Sequence, residues 1–122
     1  MAKVFFDANY FVDIVEHGKN IAWVDFGGHK IYISTLSVHI LAYLYKYIMP
    51  RADVENTLDE YVIFVPMNET IVQNALAGPT VDFEDNVQLH SAADAECDIF
   101  LTNDRGLLKL SFFGKTRIIP QL

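Results

Sequence analysis

Four acidic or amide side chains fall where apparent strands give way to the next segment. Asp7 and Asn9 follow Val4-Phe5-Phe6, Asp104 follows Ile99-Phe100-Leu101, and Asp85 opens a helix-like run between them. In an open α/β sheet, ligands bind at the carboxyl ends of the strands. Carboxylates brought there from distant parts of the chain are costly to desolvate unless a cation lies between them. A hard divalent ion such as Mg²⁺ takes oxygen ligands and keeps several waters that a phosphate can displace. The chemistry this suggests is metal-assisted hydrolysis of a phosphodiester.

Each signal also has an ordinary structural reading. Asp and Asn are standard N-cap residues, so Asp7-Ala8-Asn9 also reads as a plain helix start. Asp85 lies one turn after Asp82 with Glu84 beside it, and acidic residues in a helix's first turn are favoured by the helix dipole. Beyond Asp85, the residues Gln88, Leu89 and Ala92 pass from polar to apolar, as suits a side chain at the rim of a cleft. Thr102-Asn103-Asp104-Arg105 suits either a turn or a ligand-binding loop. In the second case Thr102 offers a hydroxyl, Asp104 a carboxylate and Arg105 a phosphate contact. Asp98 precedes the same strand at its opposite end and is assigned to structure.

The elements that must position these groups alternate between strand and helix. Lys3 to Phe6 is a short β-rich run, followed by a helix from Ala8 to Glu16 with Gly18 as terminator. Ile21 to Phe26 reads as a further short helix. Lys30 to Ile33 is the second strand, and Ser34 or Thr35 caps a helix running to Ile48, ended by Pro50. Ala52 to Asp59 is a shorter helix and Tyr61 to Val65 a third strand. Asn68 caps a helix to Ala77, stopped by Gly78-Pro79, and Asp82 to Glu96 is the next helix. Ile99 to Thr102 is a fourth strand, Arg105 to Leu110 a turn or short helix, and Arg117 to Ile119 a last strand. Such alternation predicts a parallel sheet covered by helices on both faces.

At 122 residues the chain is expected to form one domain, residues 1–122. Its 52% apolar content suits a folded core, and no apolar run is long enough to span a bilayer. Met1-Ala2-Lys3 runs into the first strand without a signal-peptide pattern. The one cysteine, Cys97, excludes an internal disulfide, and a cytoplasmic location is expected. A net charge of −7 argues against a general nucleic-acid binder. It leaves room for a nuclease, because bound cations reverse the local sign.

Four stretches, in order, resemble the PIN domain and particularly the small VapC-type ribonuclease toxins. They are Val4-Phe5-Phe6-Asp7-Ala8-Asn9-Tyr10-Phe11, Ile33-Ser34-Thr35-Leu36-Ser37-Val38, Asp82-Phe83-Glu84-Asp85-Asn86-Val87-Gln88-Leu89 and Cys97-Asp98-Ile99-Phe100-Leu101-Thr102-Asn103-Asp104. Order and spacing agree over nearly the whole chain. The resemblance implies a three-layer α/β/α sandwich with a central, mainly parallel sheet. It also implies a Mg²⁺- or Mn²⁺-dependent endoribonuclease, with Asp7, Asp85 and Asp104 as metal ligands and Asn9 and Thr102 as supporting groups. A homodimer, an antitoxin partner and an RNA substrate are implied with it.

One position departs from the family's pattern. Where the family carries a glutamate after the second strand, this chain has Ile40, on the apparent stripe Leu36, Ile40, Tyr43 and Tyr47. His39 is adjacent, but helix neighbours point about 100° apart, so it is no ready substitute. Loss of one carboxylate predicts a weaker second metal site and reduced activity. The rival reading is a PIN-like module that binds RNA or a protein and cleaves nothing.

The remaining candidates read mostly as structure. Trp23, Phe26, Tyr43, Tyr45 and Tyr47 could stack on bases but suit a core or interface. Leu36, Leu41, Leu44, Tyr45 and Ile48 are candidates for a dimer or antitoxin surface. His17, His29 and His90 lack metal-ligand spacing. Lys46, Arg51, Arg105 and Lys109 are the available phosphate contacts.

Overall fold

Val4, Phe5 and Phe6 are wholly buried, as residues of a central strand are when helices cover both faces of the sheet. In the computed structural model, which describes residues 1–18, 23 and 25–122, this run is β1 (Lys3–Phe6). It is followed by α1 (Ala8–Glu16), β2 (Lys30–Ser34), α2 (Thr35–Leu44), α3 (Ala52–Tyr61) and β3 (Val62–Val65). Then come α4 (Glu69–Ala77), α5 (Phe83–Asp94), β4 (Ile99–Leu101), the short α6 (Arg105–Leu108), β5 (Phe112–Phe113) and β6 (Thr116–Ile119). The strand order is β3-β2-β1-β4-β6-β5, and every pairing is parallel except the β5–β6 hairpin.

Alternation along β1 separates two cores. Val4 and Phe6 join Phe11, Val12, Leu41 and Leu58 on the face covered by α1, α2 and α3. Phe5 joins Ile71, Ala75, Val87 and Leu89 on the face covered by α4 and α5. Phe5 also stacks on Phe100 of β4, ring centroids 5.5 Å apart and nearly coplanar in tilt at 10°. The result is the expected three-layer α/β/α sandwich with a mainly parallel sheet. No helix is long and apolar enough to cross a membrane among the described residues.

Caps fall where the side chains dictate. Ser34 Oγ accepts from the Leu36 amide (3.1 Å) to start α2, and Asn68 Oδ1 accepts from Ile71 (2.9 Å) to start α4. Asp82, expected inside the next helix, is instead its N-cap, accepting from the Asp85 amide at 2.9 Å. The helix expected to reach Ile48 stops at Leu44. Lys46 takes a left-handed backbone (φ +50°) and the Tyr47 amide donates back to the Ala42 carbonyl at 3.0 Å, closing the helix. That reversal lays Tyr47 on α1, where its hydroxyl donates to Glu16 Oε2 at 2.9 Å. The β5–β6 hairpin was not legible in advance. Its turn is the pair Gly114-Lys115, with Gly114 at φ +60°. The short helix expected over Ile21 to Phe26 lies largely outside the described residues.

The expected α2 stripe does not hold together as a buried face. Leu36 borders the core shared with α4 and α5, Ile40 and Tyr47 border the opposite core, and Tyr43 is 75% exposed. Leu41, grouped with candidates for a partner surface, is fully buried, whereas Leu44 and Ile48 are exposed. Early termination of α2 takes only Tyr47 out of the helical period; Leu36, Ile40 and Tyr43 all lie within the helix, where they meet one core, the opposite core and solvent in turn.

α5 owes its placement to a buried amide. Asn86 Nδ2 donates to the carbonyls of Ala75 (2.8 Å) and Thr80 (3.0 Å), while Oδ1 accepts from the Thr80 amide (2.9 Å) and hydroxyl (2.6 Å). Removing this side chain strands buried backbone groups, each costing about 1–3 kcal/mol. We expect Asn86→Ala to destabilise the domain by about 2–3 kcal/mol in urea unfolding. Leu76→Ala, at a position 74% exposed, should shift stability by less than about 0.5 kcal/mol. Equal effects of the two would refute the role given to Asn86.

Candidate functional site

β1 and β4 are parallel neighbours in the register Phe6↔Leu101, so the next residues, Asp7 and Thr102, emerge side by side. The Asp7 amide still reaches the Leu101 carbonyl at 3.0 Å. Thr102 is fully buried, and its Oγ1 donates to Asp7 Oδ2 at 2.7 Å. The same oxygen accepts from the Asp104 amide at 3.0 Å. One hydroxyl thus bridges a carboxylate at the end of β1 and the residue bearing a carboxylate after β4. The capping reading of Asp7 is correct, and Asp104, in a segment that suits a turn or a ligand-binding loop, caps α6. Asp7 Oδ1 accepts from Ala8 at 2.8 Å, and Asp104 Oδ1 accepts from Leu107 at 3.0 Å.

Asp85 completes the group from the first turn of α5, half-buried at the rim. Burial first, then the carboxylates of Asp82, Asp7, Asp104 and Glu84, push its pKa up to about 6. Burial likewise raises Asp7, only partly offset by its hydrogen bonds from Thr102 and Ala8, and Asp104 and Asp82 add to the rise. These four aspartates therefore lie within one another's field. Among the described residues the one ion pair is Arg51–Asp53 at 3.0 Å, so no lysine or arginine neutralises the acids. Arg51, expected as a phosphate contact, is held by that pair and stacks over the Tyr47 ring at 4.0 Å.

Asp82 is the acid that sequence reasoning passed over. The signal was its position three residues before Asp85, because N-cap and N3 side chains meet at a helix start. Asn9 is exposed in the first turn of α1. It lines a cleft of about 430 Å³ with His39, Ile40, Tyr43, Leu44 and Glu84. One turn beyond Asp85, the buried Gln88 accepts a hydrogen bond from Ser37 Oγ (3.2 Å), which ties α5 to the helix carrying Ile40. Asp98 takes the structural role assigned to it, accepting from the Lys3 amide at 2.9 Å. Cys97 is buried, and burial pushes its thiol pKa up to about 12.

The donor chemistry suits a hard cation: oxygen ligands only, deeply or partly buried, with the proton affinity of Asp7 and Asp85 raised by burial and by neighbouring carboxylates. Among the described residues, however, no three Asp, Glu, His or Cys side chains are already gathered closely enough to hold an ion between them. The strand ends bring the acids into one neighbourhood without closing them around a point.

No protein-family model matches the chain, and no curated protein matches it in sequence. Among solved structures, the chain is similar to one in the VapBC2 complex from Rickettsia felis, solved bound to a DNA fragment from their promoter. The likeness has a TM-score of 0.66 at 11% identity and covers 95% of this chain and 96% of that one. At that identity the likeness establishes the fold.

A carboxyl whose pKa rises on folding binds its proton more tightly in the folded state. Asp85 therefore costs stability as pH climbs from its ordinary value of 3.8 through about 6, and the cost persists above. With a chelator present, we expect Asp85→Asn to be more stable than wild type at pH 7, the gap closing as pH falls toward about 4. Thermal unfolding across this range measures it. A variant no more stable than wild type at pH 7 would show that Asp85 is not strained by its neighbours.

Proposed function

We propose that the chain is a metal-dependent endoribonuclease, the toxin of a toxin–antitoxin pair acting in the cytoplasm. The observation that carries this reading is the bridge from Asp7 through Thr102 to Asp104, with Asp85 near enough for their charges to raise its pKa and no basic partner among the described residues. Asp7, Asp85 and Asp104 would hold Mg²⁺ or Mn²⁺. The ion, when bound, supplies a lowered pKa for a coordinated water and stabilises charge building on the phosphate.

The chain's own residues divide the remaining work. Thr102 fixes the rotamer of Asp7 by donating to Oδ2, leaving that carboxylate in one orientation. Asp7 is nearly inaccessible to solvent and serves as a fixed ligand. Asp85, half-buried and holding its proton up to about pH 6 when no cation faces it, sits where a proton can be taken up or released. Asn9 is exposed and lines the neighbouring cleft, and would be the supporting group that contacts substrate. The fold likeness to a VapBC2 chain supports a protein antitoxin as partner, and the exposed Leu44, Tyr45 and Ile48 offer apolar surface for it or for a second copy.

Ile40 favours a second reading, a weakened or inactive PIN-like module. Its side chain borders the core and offers no ligand, and the acids are not gathered into a closed set. Two-metal sites hold their ions about 3.5–4 Å apart and need charge to offset the repulsion. A single metal, or one tight and one weak, follows from the missing acid.

Incubating the protein with a mixed RNA pool and Mg²⁺ or Mn²⁺ should yield cleavage that Asp7→Asn and Asp104→Asn each reduce by about 100-fold or more. Cleavage that survives both substitutions would overturn the reading. RNA binding without cleavage at any metal concentration would select the module instead. Ile40→Glu should raise both metal affinity, measured by calorimetry, and cleavage. If neither moves, or if wild type already binds two ions tightly, Ile40 does not occupy the position of a missing ligand.

A further inference from the structure

The cleft beside the acids is not accounted for by metal binding. It lies where Asn9, two residues after Asp7, and Glu84, next to Asp85, approach α2. Its remaining lining comes from α2: His39, Ile40, Tyr43 and Leu44. His39 and Tyr43 are one turn apart and stack, with ring centroids 6.2 Å apart and planes 24° from parallel. Tyr43 is 75% exposed, so this ring contributes little to the core. At about 430 Å³ the cleft falls within the usual range of small-ligand sites, about 300–1,000 Å³.

We propose that this cleft seats one unpaired base of the RNA strand next to the phosphate at the acidic centre. The proposal rests on the nuclease reading and adds a seat for one base, built on the His39–Tyr43 pair. Three features of the lining select a base over the other parts of an RNA strand. A base has flat apolar faces, which an exposed aromatic pair accommodates by stacking, whatever the sequence. A base has a polar edge of N–H donors and acceptors, which the Asn9 amide and Glu84 carboxylate can meet. A phosphate is disfavoured, since the lining holds no lysine or arginine among the described residues and Glu84 would repel it. Ile40 then has a positive role. Its apolar side chain lines the same cleft as the aromatic pair and adds apolar surface to the seat.

The test is steady-state cleavage of a single-stranded oligoribonucleotide by Tyr43→Ala, His39→Ala and the double variant. All alter exposed side chains, so folding should be spared. Removing the aromatic surface should raise KM about tenfold while kcat stays within about twofold. An oligonucleotide lacking the base beside the cut should bind wild type about tenfold more weakly, with no further loss in the double variant. Leu76→Ala is the neutral control. Unchanged KM in the double variant overturns the proposal. So does a change confined to sedimentation mass, which would assign these rings to a protein interface. If wild type cleaves no RNA, the nuclease reading fails by itself. Single-stranded RNA binding by fluorescence anisotropy then decides the base seat, upheld if the double variant weakens it and rejected if it does not.

Discussion

The hydrogen bond from Thr102 to Asp7 is the constraint on which the rest of the site depends. A carboxylate as deeply buried as Asp7 is expensive in a low-dielectric interior, and two donated hydrogen bonds, from Thr102 and Ala8, only partly offset that cost. The same hydroxyl accepts from the backbone of Asp104, so the positions of the two acids are not independent. This coupling exists because β1 and β4 are adjacent and parallel, which delivers residues nearly a hundred positions apart in sequence to one sheet edge. Folding therefore gathers negative charge in a neighbourhood where no basic side chain answers it among the described residues. A protein retains such an arrangement when an external cation or a proton makes up the difference.

The surrounding architecture serves this edge. Two-sided burial fixes the register of β1, since a one-residue slip would send Phe5 and Phe6 to the wrong cores and carry Asp7 with them. α5 is pinned from two directions, by the Asn86 network to the α4 connection and by the Ser37–Gln88 bond to α2. Those ties decide how near Asp85 comes to Asp7 and Asp104. Stability and site geometry thus share the same buried polar groups. At the opposite end of the sheet, Asp98 and Cys97 do structural work alone.

Much of this was legible in the chain because the signals were local. Strand patterning and caps at Asp7, Ser34 and Asn68 predict the elements, and their order predicts a parallel sheet. Asp7, Thr102 and Asp104 stand out as candidates because strand ends can be read from hydrophobic runs, and Asp85 because it sits in a helix's acidic first turn. What was missed depends on tertiary contacts. α2 stops at Leu44 so that Tyr47 can reach Glu16, and no helix signal in the segment announces that pairing. The stripe through Leu36, Ile40 and Tyr43 divides because its residues meet different neighbours along one helix, which periodicity alone does not reveal. Asp82 looked like part of a helix because capping and site roles use the same residue type. The cleft on α2 is made by three separate segments, and only folding reveals that His39, Tyr43 and Asn9 share a wall.

We propose that the three aspartates at these strand and helix ends seat a divalent cation. Anomalous diffraction from crystals soaked in Mn²⁺ tests it most directly, because it locates the ion without reference to activity. The expected result is an anomalous peak bounded by oxygens of Asp7, Asp85 and Asp104, with those side chains drawn together relative to their positions here. Mn²⁺ bound only elsewhere, or three aspartates that stay apart and unligated at high Mn²⁺, would contradict the claim.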